Sequence, residues 1–367
     1  MLMRRVVVLN NYPLERVWDE VRLGETPDHH LFGINYFEER GYQPVIVPMR
    51  DGGWGRWQRR MAVARFPLEL GDLQQQRDAL ACFRDGDLVY APCASQTHSL
   101  QYLRALGLLD KPIVCLVHHP FSRGRTNMLR SPQRRLFVRG ADHLPSLSHS
   151  VARTLGELGA SSARTAALRW GPQADYYQPQ AGAGEGIVAA GRTGRDFETL
   201  ARASRLTDSP VVLIGLEGQF ENDVFRGHSA LRVIEQPAVP PQPGRPVGWM
   251  KYPELLGHLS AARAIAIPLY AQDKLCGLTS LMDALGLGKP VIMTRNAHID
   301  LDVEALGIGL WVEAGDTAGW MRAINWFDAH PSAAMEMGAR ARALVDAGLN
   351  SRAFAHQIMD LFDRVCA

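Results

Sequence analysis

Two arginines three residues apart, Arg192 and Arg195, lie in the run Ala190-Gly191-Arg192-Thr193-Gly194-Arg195-Asp196. A second glycine, Gly277, lies in the run Cys276-Gly277-Leu278-Thr279-Ser280-Leu281-Met282-Asp283. Fixed guanidinium groups hold oxyanions and stabilise charge that develops on them. Gly277 stands where a loop hands over to a helix opening with Thr279 and Ser280. The backbone N–H groups of Gly277, Leu278 and Thr279 and the positive helix end therefore converge on one point, which suits a phosphate or a sugar oxygen. Asp283, one turn in, is placed to accept hydrogen bonds from ribose hydroxyls, and Lys274 offers a further cation just before the glycine. Each feature has a plain alternative. The arginines can be surface residues at a helix start, Lys274 a solvated loop residue, and Gly-Leu-Thr-Ser an ordinary capped helix.

A second group of polar residues falls at strand ends in the first half of the chain. His118-His119 closes the run Ile113 to Val117, and Asn10-Asn11 closes the run Arg5 to Leu9. In a parallel sheet such ends carry ligands. Either histidine can hold a ligand there, or the two can be a structural pair beside Pro120; spacing does not choose between them. Asn10 and Asn11 are expected to line the same edge.

The elements that position these groups alternate between short β-branched runs and helix-length amphipathic segments, an α/β pattern. Strands are predicted at 5–9, 44–48, 88–90, 113–117, 144–147 and 166–169, with helices near 30–40, 96–107, 132–139 and 150–158. The pattern restarts after Gly171-Pro172. Strands follow at 187–190, 211–214, 231–234, 264–267 and 291–294, with helices near 197–206, 252–263, 279–287, 317–329 and 332–347. Continuous apolar strands buried on both faces mark parallel sheets sandwiched by helices. The expected organisation is two Rossmann-like domains facing a cleft, 1–171 and 172–348, followed by a last helix in 349–367.

Taken together, the run from Ala190 to Leu200, the run Tyr252-Pro253-Glu254-Leu255-Leu256 leading to Ala261–Leu269, and the run Cys276–Ile292 resemble the donor-binding half of retaining, family-4 type glycosyltransferases of the GT-B fold. The likeness extends from Trp170-Gly171 to Gly315-Asp316; in the first half it is limited to the strand pattern, Val117-His118-His119-Pro120 and Leu168–Gly171. It implies that 1–171 binds the acceptor, with Asn10 and Asn11 on the acceptor side, that 172–348 binds the donor and that the last helix in 349–367 crosses back toward the first domain. It also implies that Arg192 and Arg195 grip a donor diphosphate, that Asp283 takes the ribose, and that a first-domain histidine, His118 or His119, stands near the transferred sugar. The base would lie along 247–252, at Gly248 and Met250. The chain departs from the family's Glu-x7-Glu signature: Asp283 matches the second acid, but Leu275 stands where the first belongs. The resemblance further implies retention without a side-chain nucleophile, no metal and no cofactor, with UDP favoured as the nucleotide and GDP next.

Composition sets the outer limits. The chain has 367 residues, 46% hydrophobic and 21% charged, which excludes a long disordered chain and leaves room for two domains. Only four of its 40 basic residues are Lys, and a net charge of +2 is too weak to point to nucleic acid. The balance is uneven: residues 1–170 carry 23 Lys/Arg against 16 Asp/Glu, residues 171–367 carry 17 against 22. Two basic clusters account for much of the excess. One sets Arg56, Arg59, Arg60 and Arg65 around Trp54 and Trp57. The other runs through Arg123, Arg125, Arg130, Arg134, Arg135 and Arg139. They suit a lipid-linked or phosphorylated acceptor or peripheral contact with an anionic membrane, and equally a solvated face. The five cysteines form no C-x-x-C pair and no spanning segment or export signal is present, so a cytoplasmic protein with free thiols is expected. Two other readings stay open: an epimerase or phosphorylase on the same fold, and a nucleotide-sugar binding protein without turnover.

Overall fold

The computed structural model describes residues 3–49, 69–121, 127–180, 182–237 and 250–366. The chain divides into two compact units. One comprises Met1–Leu23, Asp28–Trp170 and Ser351–Ala367; the other comprises Gly24–Pro27 and Gly171–Asn350.

In the first unit, β1 (Arg4–Val8), β2 (Tyr42–Ile46), β3 (Leu88–Ala91) and β4 (Ile113–Cys115) form a sheet in the order β2-β1-β3-β4. Every pairing is parallel. β5 (Leu144–Ser146) and β6 (Thr165–Ala167) pair in parallel, and single bridges from Val114 to His143 and from Val117 to Ser146 join them to the β4 side. Val6, Val7, Val8, Leu88, Val89 and Ile113 are fully buried, as strands covered by helices on both faces must be. The covering helices are α1 (Leu14–Arg22), α2 (Leu73–Cys82), α3 (His98–Ala105), α4 (Asn127–Arg139) and α5 (His149–Glu157).

The second unit holds a six-stranded sheet of β7 (Ile187–Ala190), β8 (Val211–Leu216), β9 (Leu231–Gln236), β10 (Ala264–Ile267), β11 (Val291–Thr294) and β12 (Gly309–Val312). Its order is β12-β11-β10-β7-β8-β9, all parallel. From β7 the chain winds outward through β8 and β9, then returns to start β10 on β7's other side. The boundary between β7 and β10 is thus a topological switch point, and the crevice beyond its strand C-termini is where such sheets bind ligands. The helices are α6 (Phe197–Ser204), α7 (Tyr252–Ala261), α8 (Leu278–Leu287), α9 (Thr317–Ala329) and α10 (Pro331–Asp346). Phe197, Trp320 and Phe327 fill the core against one face of the sheet.

The last helix, α11 (Ser351–Cys366), belongs to the first unit. Its Phe362 meets Phe37, Tyr42 and Tyr90 edge-on, with ring centroids 5.0 to 5.6 Å apart.

The α/β alternation and the parallel sheets are as expected from the sequence, with three differences. β12 and the helices α1 and α2 were not anticipated. The helix expected at 30–40 is instead two 3-10 stretches, Asp28–Leu31 and Ile34–Arg40. Between them Phe32 has φ 49° and Gly33 φ 85°, left-handed values that no α-helix carries through. Arg134 is a core residue, only 6% exposed, with its guanidinium 5.2 Å from the ring centre of Phe121, so it adds nothing to a basic face; Arg135 and Arg139 are exposed. Arg56, Arg59, Arg60, Arg65, Arg123 and Arg125 lie outside the described residues. No helix among the described residues is long and apolar enough to cross a membrane.

Candidate active site

At the C-terminal ends of β7 and β10 the second unit gathers Arg195 and the start of α8. The loop after β7 is stitched to the one after β10: Tyr270 N donates to Gly194 O, Asp196 N to Pro268 O, and Arg195 bridges Leu269. Asp196 caps α6, accepting from the Thr199 N–H at 3.1 Å and the Thr199 hydroxyl at 2.7 Å, so its carboxylate is committed to the fold. Arg195 turns inward and is only 8% exposed. Its Nε donates to Ala190 O at 3.1 Å, one terminal nitrogen to Thr193 O at 3.1 Å and the other to Ser280 Oγ at 2.8 Å. Gly191 is required for this packing, because a Cβ there would stand 2.3 Å from Arg195 Nε and its φ is +146°.

All three partners of Arg195 are neutral, and among the described residues it forms no ion pair. Burial lowers its pKa to about 10, so it stays a cation at neutral pH. Ser280 is in the first turn of α8. Gly277 is the N-cap, φ 84°, and supplies no side-chain cap to the first N–H groups of that helix. A buried cation and a positive helix end thus point at the same place without a carboxylate between them. Both are sources of positive potential, an arrangement chemically able to hold an anion. Arg192 is exposed on the same loop, and Lys274 is exposed on the segment before Gly277, whose backbone is pinned by Asn296 Nδ2 donating to Lys274 O at 3.0 Å.

Asp283 lies one turn further along α8, 4% exposed. Its Oδ1 accepts from Tyr177 at 2.7 Å and from Tyr252 at 2.5 Å. Burial raises its pKa to about 6, against the pull of the two hydroxyls and of Arg195. Tyr177 reaches it because Gly286 has no side chain; a Cβ there would sit 2.5 Å from the tyrosine ring.

In the first unit, the corresponding strand ends carry neutral polar groups. Asn10, just past β1, is 1% exposed, and neither amide atom has a hydrogen-bond partner of good geometry among the described residues. Asn11 is exposed. Past β4, His118 is half-buried with Nε2 2.6 Å from Pro92 O, which assigns the ring proton to Nε2 and leaves Nδ1 as an acceptor. Burial lowers its pKa to about 4, so it is neutral at pH 7. His119 is exposed. Phe32 lies 5.0 Å from His118 and stacks 5.9 Å from Trp170, whose indole N–H donates to His29 O at 3.1 Å. Tyr12 donates to His30 O.

No family model and no curated protein matches the sequence. Solved structures do. The chain is similar over 99% of its length to 99% of the sucrose-phosphate synthase of Thermosynechococcus elongatus, with a TM-score of 0.70 at 16% identity. It is similar over 99% of its length to all of Anabaena Alr3699/HepE, whose structure was solved in complex with UDP, with a TM-score of 0.65 at 13% identity. For the α,α-trehalose 6-phosphate synthase of Burkholderia multivorans the TM-score is 0.64 at 11% identity, covering 100% of this chain and 99% of that one. The fold is that of the GT-B glycosyltransferases.

On this GT-B framework the structure brings Arg195, Gly277, Leu278, Thr279 and Asp283 to one edge of one sheet, as α8 requires. Arg192 and Lys274 are exposed on the flanking segments, Met250 is half-buried just before α7, and Gly248 lies outside the described residues. Leu275, standing where the resemblance puts the first acid, is 7% exposed and packed as an apolar residue. Sequence reasoning missed Ser280 as the fixed partner of Arg195, and missed Tyr177 and Tyr252 as partners of Asp283. It also missed the group of His29, His30, Phe32 and Trp170. The adjacent histidines ahead of Gly33 were the available signal for that group; nothing in the spacing linked two tyrosines 75 positions apart to one carboxylate.

Proposed function

We propose that the protein is a glycosyltransferase that moves a sugar from a nucleoside diphosphate sugar, UDP favoured and GDP next, to a hydroxyl acceptor. The observation that carries this reading is the buried Arg195, without an ion pair among the described residues, beside the N-terminus of α8 on a GT-B fold. As the bond from the anomeric carbon to the diphosphate breaks, its electron pair passes to the phosphate oxygen. Arg195, the N–H groups of Leu278 and Thr279, and Arg192 and Lys274 reaching in from exposed positions stabilise that charge. The acceptor oxygen attacks the same face of the sugar and gives its proton to the departing phosphate, which yields retention without a side-chain nucleophile. Neither step calls on a metal or a cofactor. Asp283 takes the ribose, directly through its second oxygen or through the Tyr252 hydroxyl it holds, and Met250 and Gly248 lie along the base.

The first unit is assigned the acceptor. Asn10, Asn11 and His119 offer hydrogen bonds to hydroxyls, and neutral His118 accepts one at Nδ1 without adding charge. The acceptor class is a hydroxyl compound, lipid-linked or phosphorylated, and the enzyme works in the cytoplasm or at the inner face of its membrane. A second reading, a nucleotide-sugar binder without turnover, is favoured by one observation: apolar Leu275 replaces the first acid.

Incubation with UDP-glucose, UDP-N-acetylglucosamine and GDP-mannose, with EDTA present, separates the two. Release of free nucleotide that grows when hydroxyl acceptors are added supports the transferase. Thermal stabilisation by a nucleotide with no release from any donor supports the binder.

A further inference from the structure

The second unit has a cavity at the edge of its sheet opposite the Arg195 cluster. Lys289 and Pro290 precede β11 and Arg263 precedes β10, so these residues lie at strand N-termini, whereas Arg195 and Gly277 lie at strand C-termini. The cavity has a volume of about 390 Å³ and is lined by Pro179, Ala183, Arg263, Lys289, Met335 and Arg342, among others. That volume is within the range of sites that enclose a small organic ligand.

Lys289 is the unusual member. It is only 4% exposed, yet its ammonium has no hydrogen bond and no ion pair among the described residues. A buried lysine normally acquires an acid, because an unpaired charge away from water is expensive. Burial alone acts on its pKa, lowering it. The neighbouring cations are already engaged in different ways. Arg342 donates to the carbonyls of Ala174, Tyr177 and Gly286 and pairs with Asp346 at 3.0 Å, which ties α10 to the end of α8. Arg263 pairs with Asp328 through one terminal nitrogen, while its Nε is buried without a partner. The cavity is therefore lined by a Lys289 ammonium without a partner among the described residues and by the Arg263 guanidinium, with Gln180 and the Arg342–Asp346 pair as further polar members of a largely apolar wall.

We propose that this cavity is a second ligand site, binding a small organic anion whose oxyanion head, phosphate or carboxylate, pairs with the Lys289 ammonium and the Arg263 guanidinium while its apolar body rests on Met335 and the prolines. Its distance along the strands from the Arg195 cluster makes it independent of the donor, so a molecule bound there is an effector or an anchor rather than a reactant.

The test is calorimetric titration of the full chain with phenyl phosphate, benzoate and neutral benzyl alcohol, repeated with excess UDP. The expected result is saturable binding of at least one anion, insensitive to UDP, weakened at least tenfold by Lys289→Met or Arg263→Met and unchanged by Lys111→Met. Circular dichroism checks that each variant is folded, and the two cavity variants serve as substitutes for each other should one fail. Preference for phosphate or for carboxylate identifies the head group. Absence of binding to the wild-type chain, displacement by UDP, equal affinity for benzyl alcohol, or unchanged affinity in folded cavity variants would overturn the assignment.

Discussion

The two units place their candidate residues at the same topological position, the C-terminal edge of a parallel sheet, and furnish it with opposite electrostatics. In the second unit a charge is kept despite burial: Arg195 remains a cation with neutral hydrogen-bond partners, beside the positive end of α8. In the first, burial removes one: His118 is held neutral with a pKa of about 4, and Asn10 is an uncharged amide with no partner of good geometry. This division is informative because the overall composition points the other way, the first half of the chain being the basic one. Net charge describes a surface; what a site can bind depends on the few groups kept charged or neutral where water is scarce. An edge that concentrates positive potential suits a diphosphate, and an edge of neutral donors and acceptors suits hydroxyls.

Four substitutions break or sharpen this contrast. The largest effect is expected from Arg195→Met, which keeps an aliphatic stem and removes the charge: donor turnover should fall about 100- to 1,000-fold, read by nucleotide release, with the far-ultraviolet spectrum unchanged. Gly191→Ala should come next. Its methyl would push Arg195 Nε from a position 2.3 Å away and strain a φ of +146°, so a loss of about 1–3 kcal/mol in a denaturant melt should accompany a drop in turnover of at least about tenfold. On the neutral edge, Asn10→Leu should leave stability equal or increased, since a poorly partnered buried amide is replaced by an apolar group of similar size, while the acceptor KM rises several-fold. A fall in stability with unchanged KM would show Asn10 to be structural.

The smallest effect concerns pH. The pKa of Asp283 is raised from 3.8 to about 6 by burial, so the folded state holds its proton more tightly than the unfolded chain does. Wild-type stability should decline as pH rises from about 4 to above 6, the interval in which the native state alone keeps the proton. Asp283→Asn keeps an oxygen for Tyr177 and Tyr252 but has no proton to lose. The melting temperatures of the two proteins should therefore be nearly equal at pH 4 and separate in favour of the variant between pH 4 and 6. A constant gap would show that Asp283 does not titrate in that range.

Much of the fold was legible because buried parallel strands announce themselves. Runs such as Ile187–Ala190, Ala264–Ile267 and Val291–Thr294 are apolar throughout, and the helices between them have ordinary starts and stops. What was missed has physical reasons. β12 is a four-residue edge strand that opens with glycine, has half-exposed Leu310 and Trp311, and carries a single β-branched residue, Val312, so its strand signal is weaker than that of its neighbours. Helix α2 reads Leu-Gln-Gln-Gln-Arg and gives little amphipathic signal; Gln75 and Gln76 are nevertheless buried because their amides bond to Val47 O and Leu70 O. The site was legible where its chemistry is local, as in Gly277 and the opening turn of α8. It was not where the decisive contact spans the sequence, as in the pairing of Arg195 with Ser280 across 85 positions or the meeting of Tyr177 and Tyr252 on Asp283.

The claim that the second unit binds a nucleoside diphosphate through Arg195 is tested most directly by calorimetric titration of UDP, in EDTA, into the wild-type chain and Arg195→Met. Binding of one UDP by the wild type and a loss of at least about tenfold in affinity in the folded variant is the predicted result. Equal affinity in the two proteins, or no binding of UDP, GDP, ADP or dTDP to the wild type, would contradict it.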